Sequence, residues 1–307
     1  MARRLRIQFP GAIYHLINRG NYRRDLFATV GAAKAFECAL GEASTRFDRV
    51  VHAYRLLRNH YHVALTTPVP NLSDGMHWLQ TTFALRFNRF RSERGHLFQG
   101  RYQSPLIEDA AALVRVVDYI HLNPVLAGIV PADRVADFRR SSLPRLVKGQ
   151  RPDWLSPTAW LPALGLADDA RDWKRYVADL QWLAESPEEQ EKRGFDELTR
   201  DWAIGSHGWK QALAREHEHR ALDLDLRRNE SLALKELRWR AMLEAELRGR
   251  GKDSAAAVRD AKNVRWKVEI AFVLRKKSGA PYRWIAQSLA MGSPLAVRVA
   301  VCRFANG

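Results

Sequence analysis

The chain has 307 residues, 46% hydrophobic and 27% charged, with 50 Lys plus Arg against 34 Asp plus Glu and a net charge of +16. This is a globular composition, long enough for one large domain and one or two smaller ones. No apolar run approaches the ~18–20 residues of a membrane span, and the basic N-terminus lacks the apolar core of a secretion signal. With only Cys38 and Cys302, far apart, a disulfide framework and a cysteine zinc site are excluded, and a soluble, cytoplasmic protein is expected.

The positive charge is unevenly spread. Residues 1–150 carry +11, residues 151–251 carry −3 and residues 252–307 carry +8. Two basic ends around a nearly neutral middle point to a polyanion. Arg dominates over Lys in the first region, and its planar fork suits phosphates and base edges better than a membrane surface. Nucleic acid is the expected partner; a basic protein that is merely soluble, or ribosome-associated, is the alternative.

Residues 12–18 alternate as a strand and end in the turn Arg19-Gly20-Asn21. Residues 30–47 have helical periodicity, with Ala33, Phe36, Leu40 and Ala43 on one face. Residues 50–57 and 60–66 read as two strands joined by the tight connection Arg58-Asn59. Asn71 or Ser73 caps a helix to about Arg91, striped by Met76, Leu79, Phe83 and Phe87. A short strand lies near Ser104–Glu108. Asp109 then caps a helix from Ala110 to about Leu122, ended by Asn123-Pro124. The order strand, helix, strand, strand, helix, strand, helix is the α+β, ferredoxin-like (split βαβ) pattern: an antiparallel sheet with helices on one face.

Beyond it, residues 154–250 read as mostly helical. The segments Val264–Leu274, Tyr282–Leu289 and Leu295–Phe304 read as three short helices, the last two spaced as a helix-turn-helix about Met291-Gly292-Ser293. The expected organisation is a catalytic domain over 1–135, a linker and helical region over 136–250, and a helix-turn-helix-like DNA-binding domain over 251–307. A helix-turn-helix used only for packing is the alternative for the last.

Two constellations carry chemistry. In His60-Tyr61-His62, residues i and i+2 of a strand share a face, so both imidazoles project together as two ligands for a divalent metal while Tyr61 points the other way. In Tyr119-Ile120-His121-Leu122-Asn123-Pro124, Tyr119 and Asn123 stand one turn apart on one helix face, able to supply a nucleophile and a third ligand. The plainer reading makes Tyr119 a packing residue and Asn123 a helix terminator. His15 could abut the site or be a core histidine, His121 reads as structural, and Tyr102 is an alternative nucleophile.

Four blocks carry a resemblance: Leu5–His15, Arg58–His62, Gly95-His96-Leu97-Phe98-Gln99-Gly100-Arg101-Tyr102, and Tyr119–Gly128. Over roughly residues 2–130 the chain resembles the IS200-like Y1 (HUH) transposases, and most nearly their REP-associated tyrosine transposase branch. The resemblance implies an HUH endonuclease domain in which His60 and His62, with Asn123, hold Mg²⁺ or Mn²⁺, and Tyr119 attacks single-stranded DNA to give a 5′-phosphotyrosine. It further implies targets beside DNA hairpins such as REP-like palindromes, and a bacterial, nucleoid-associated setting. Arg3, Arg4, Arg6, Arg19, Arg23, Arg24, Arg86, Arg89 and Arg101, with Arg298 and Arg303 of the last helix, are the expected DNA contacts. No Walker-type glycine loop is present, no small-molecule substrate is expected, and a monomer is favoured over a dimer. A catalytically silent DNA-binding regulator of the same fold, or a replication-initiator or relaxase-like nickase, are the rival readings.

Overall fold

A computed structural model describes residues 6–216 and 232–306 of the chain. They divide into two compact units, one running to Lys210 and one from Gln211 onward.

In the first unit β1 (Ala12–Arg19), α1 (Val30–Arg46), β2 (Val50–Leu56), β3 (His60–Thr67), α2 (Leu72–Arg91), β4 (Leu106–Ile107) and α3 (Ala110–Leu126) follow one another as the periodicity predicts. The caps explain several boundaries. Thr29 Oγ1 accepts from the Ala32 amide at 3.2 Å, and Asp109 Oδ1 from the Ala112 amide at 2.8 Å. Of the two cap candidates for α2, Asn71 holds the position, but its side-chain amide donates to the Phe47 carbonyl at 2.8 Å. Gln8 Oε1 accepts the orphan Ser73 amide in its place.

The strands order β2-β3-β1-β4-β5, with β3 antiparallel to both β2 and β1. Strands β1 and β2 therefore run parallel with β3 inserted between them, which is the split βαβ arrangement. The fifth strand, β5 (Ala203–Ile204), pairs parallel with β4 and is too short to leave a periodic signal in the sequence. At the other edge, β2 is covered by irregular chain: the Leu56 amide donates to the Arg140 carbonyl and the Val51 amide to the Trp154 carbonyl, each near 2.9 Å. The β2 edge thus offers no free row of amides over its full length.

The helices do not all lie on one face, as the element order alone suggests. Tyr61 packs on Phe36 at 4.8 Å between ring centroids and is fully buried under α1 and α2. Its neighbour His62 meets Tyr119 of α3 at 5.6 Å on the opposite face. The reason is legible in β3 itself, whose residues 61–65 are all buried, so the strand needs cover on both sides. Helix α3 also continues through Pro124 to Leu126 where the sequence suggests a stop. The proline removes one amide donor near the helix end, yet the Ala127 amide still reaches the Asn123 carbonyl at 2.9 Å. Asn123 thus remains helical, one turn beyond Tyr119.

Residues 136–210 add α4 (Leu143–Val147), α5 (Ala170–Ala184) and α6 (Pro187–Lys192) to the same unit. Trp160, 0% exposed, is ringed by His121, Trp173 and Tyr176 and fastens α5 to α3. A Cβ added at Gly41 of α1 would stand 2.5 Å from Trp154 Nε1, in the segment that covers β2. Gly41→Ala is expected to cost about 1–3 kcal/mol by overpacking. Its thermal melt should fall by roughly 3–10 °C; an unchanged midpoint would mean that the indole swings aside freely.

Helix α7 (His207–Glu216) runs across the division. The second unit then holds α8 (Leu232–Arg248), α9 (Ser254–Arg259), α10 (Arg265–Val273) with a π-helical turn to Ser278, α11 (Tyr282–Ser288) and α12 (Pro294–Asn306). It has its own core, built on Trp239, Leu274, Ile285, Leu289, Met291 and Val297. Lys267 is buried here, its Nζ donating to the carbonyls of Ala257 and Asp260 at 2.8 and 2.7 Å. Among the described residues no helix is long and apolar enough to cross a membrane.

Candidate active site

Strand β3 presents His60 and His62 on the face toward α3, their ring centroids 5.2 Å apart. The hydrogen bonds around them fix which nitrogen of each ring carries its proton. The Leu198 carbonyl can only accept, so His15 Nδ1 donates to it at 3.1 Å and His15 Nε2 is left with its lone pair. That lone pair accepts from His62 Nδ1 at 3.0 Å, which leaves His62 Nε2 as the free lone pair. Likewise His60 Nδ1 donates to Asn59 Oδ1 at 2.8 Å and leaves its own Nε2 free. Both rings are thereby held in the tautomer that a cation-ligating imidazole needs.

Burial supports the same state. It pulls the His15 and His60 imidazoles down to about 4 and the His62 imidazole well below its ordinary range, with the positive charge of Arg55 acting in the same direction. At neutral pH all three rings are uncharged and keep their lone pairs.

Tyr119 comes to this cluster from α3, half-buried. Its ring lies 5.6 Å from that of His62, 6.2 Å from His15 and 5.6 Å from Phe195. Burial raises its phenol and the Arg55 guanidinium opposes that shift. Residues 193–198 thus lie against the site: Phe195 on the Tyr119 ring, Leu198 on His15, and Arg193 in an ion pair with Asp118 at 2.7 Å.

Asp118, next to the tyrosine on α3, is 2% exposed and also accepts from Tyr176 Oη at 3.0 Å. Burial pushes its carboxyl up to about 6, against the pull of Arg193 and Tyr176. A raised carboxyl pKa gives stability that is full below the ordinary value near 4 and is lost as pH rises through about 6. The melting temperature of the wild type, taken relative to Asp118→Asn, should therefore fall by several degrees between pH 4 and pH 7. A pH-independent difference would show that the carboxylate costs nothing in its site.

Among the described residues no group of three or more His, Cys, Asp or Glu side chains is arranged to hold a metal. The histidine pair fits as two donors to a divalent cation, and any further protein donor of the expected set is the amide of Asn123, one turn along α3 from Tyr119. Tyr102 stands apart: Arg6 lies over its ring at 3.6 Å, and its charged neighbours are Arg6, Arg49 and Arg101, not the histidines. His121 is buried between Tyr176 Oη and Ser142 Oγ.

The expected DNA-binding arginines scatter. Arg3 and Arg4 lie outside the described residues. Arg19, whose Cα partner across the sheet is His60, is exposed at the mouth of the site, and Arg23 and Arg89 are exposed as well. Arg24 is paired with Glu93, and Arg86 is clamped in a bidentate pair on Glu42 at 2.9 and 2.7 Å. Arg101 is exposed, as are Arg298 and Arg303 on α12. Of the cluster, Arg55 escapes a reading of the sequence, and His15, expected either to abut the site or to be a core histidine, is placed beside His62. Both sit across from β3 (Ile17 and Arg55 are the register partners of His62), and only the strand register shows it.

Residues 8–123 match the family model described as IS200-like transposase. No curated protein matches. A solved structure described as a REP-associated tyrosine transposase bound to a REP hairpin is similar at 22% identity and a TM-score of 0.42, covering 55% of this chain and 93% of that one.

Proposed function

We propose, from the IS200-like transposase match of residues 8–123 and the site it contains, that the chain cleaves and rejoins single-stranded DNA through Tyr119. The observation that carries this reading is the convergence of a phenol from α3 with two neutral imidazoles of β3 whose Nε2 lone pairs are both free.

Tyr119 Oη attacks the phosphorus of a phosphodiester in line. The phenol gives up its proton, an O–P bond forms, and the P–O3′ bond breaks with the 3′ oxygen taking a proton. The product is a 5′-phosphotyrosine and a free 3′ hydroxyl, and the retained phosphodiester energy allows a later strand transfer without ATP. His60, His62 and Asn123 would hold a divalent cation, Mg²⁺ or Mn²⁺, which when bound supplies charge neutralisation at the phosphate oxygens. His15 and Asn59 hold the two rings in orientation. Arg19 at the mouth and the other exposed arginines guide the strand electrostatically. The C-terminal helices α11 and α12 act as a helix-turn-helix whose exposed Arg298 and Arg303 meet duplex, with hairpin-flanking single strands as the substrate.

The test is a labelled single-stranded hairpin oligonucleotide incubated with the chain and Mn²⁺ or Mg²⁺. A covalent protein–DNA adduct that disappears on chelation is the expected result. Binding without any adduct, across hairpins of varied flanking sequence, would leave a silent DNA binder in its place.

A further inference from the structure

Arg55 is 0% exposed, and among the described residues none of its three guanidinium nitrogens has a hydrogen-bond partner. A buried arginine without an acceptor is costly, because the charge loses its water and gains nothing in return. Its position is not incidental. Arg55 is the β2 register partner of His62, so its side chain leaves the sheet on the same face as the histidines and toward α3. Its charge acts on His15, His60, His62 and Tyr119 alike. Burial lowers the guanidinium only to about 9, so it is cationic at neutral pH. The groups its charge acts on are three neutral imidazoles and one phenol, and the one carboxylate that also acts on Tyr119, Asp196, is exposed. The carboxylate of Asp118, next to Tyr119 in the chain, is already held by Arg193 and Tyr176. Arg55 therefore brings to the site a fixed positive charge and five N–H donors in a planar fork, with no hydrogen-bond acceptor for them among the described residues.

We propose that Arg55 is a phosphate-binding residue of the cleavage site, its guanidinium donating to the non-bridging oxygens of the DNA phosphodiester that Tyr119 attacks. A phosphate is the group that matches a planar fork of donors beside a tyrosine nucleophile. The arrangement also explains why the protein tolerates the unpaired charge: donors aimed at an oxyanion that is present only with substrate cost stability in the free protein and act when the strand arrives. The proposal rests on the proposed function, with Tyr119 as its nucleophile.

Two measurements separate the failure of this assignment from failure of the proposed function. The first needs no activity. The melting temperature of the wild type should rise on replacing chloride by inorganic phosphate at constant ionic strength, and the rise should be absent in Arg55→Met. An equal shift in both proteins overturns the proposal whether or not the chain cleaves DNA. The second is kinetic. Without phosphate, Arg55→Met should melt at or above the wild-type temperature, since a buried unpaired charge is replaced by an apolar chain of similar length. Its adduct formation should fall on the order of 10²–10³-fold, be recovered in part by millimolar guanidinium ion, and be partly retained in Arg55→Lys. A large drop in melting temperature in both variants would make Arg55 a structural residue. Cleavage within about threefold of wild type in Arg55→Met would remove it from the site.

Discussion

Tyr119→Phe is expected to abolish the covalent adduct with a single-stranded hairpin oligonucleotide, a loss on the order of 10³-fold or more, the scale on which deletion of a nucleophile acts. The substitution removes one oxygen and leaves the ring. The edge-on contacts with His62, His15 and Phe195 are made by the ring and survive, so the variant should fold, melt within about a degree or two of the wild type, and still bind the oligonucleotide. Tyr102→Phe serves as the control, because Tyr102 lies among Arg6, Arg49 and Arg101 and should leave the adduct intact. Gel mobility of the labelled strand after denaturation reads both. An adduct that persists in Tyr119→Phe and vanishes in Tyr102→Phe would reverse the assignment.

The second large effect concerns the histidine relay. His62 is 3% exposed and sits between the His15 ring and the chamber, whereas His60 is only half-buried with Asn59 behind it. Both His60→Ala and His62→Ala should lose cleavage by at least about 10²-fold while oligonucleotide binding persists, since each removes a lone pair offered to the cation. They should differ in stability. Removing His62 leaves His15 Nε2 buried without its donor, which costs about 1–3 kcal/mol; removing His60 orphans only a partly exposed amide oxygen. His15→Gln should weaken Mn²⁺ binding about 10- to 100-fold, by freeing the His62 ring to turn. Calorimetric titration with Mn²⁺ reads this independently of cleavage. Unchanged Mn²⁺ affinity in His62→Ala would take the metal role away from the pair.

How much of this was legible in the chain depends on range. The His60–His62 spacing gives a shared face because strand geometry repeats every two residues, and Tyr119 and Asn123 share a helix face because helix geometry repeats near 3.6. The element order and the cap at Asp109 follow from equally local rules. The stop expected at Asn123-Pro124 did not occur, because one missing donor near a helix end is too small a loss to break a helix packed on the sheet. β5 and the chain over β2 were silent for the opposite reason: a two-residue strand and irregular cover carry no period at all.

By itself, the sequence determined the ingredients: two imidazoles on one strand face, a phenol on a distant helix, an excess of arginine, and the order of elements that makes a split βαβ sheet. Only the tertiary structure decided that α3 crosses to the face opposite α1 and α2, that His15 orients His62 from a strand away, that residues 193–198 lie against the tyrosine, and that Arg55 stands on the same face with no acceptor among the described residues. The physical reason is that periodicity tells which side of its own element a residue occupies. Strand register and the choice of sheet face are set by the sum of many weak contacts between segments far apart in the chain, and no local pattern encodes that sum.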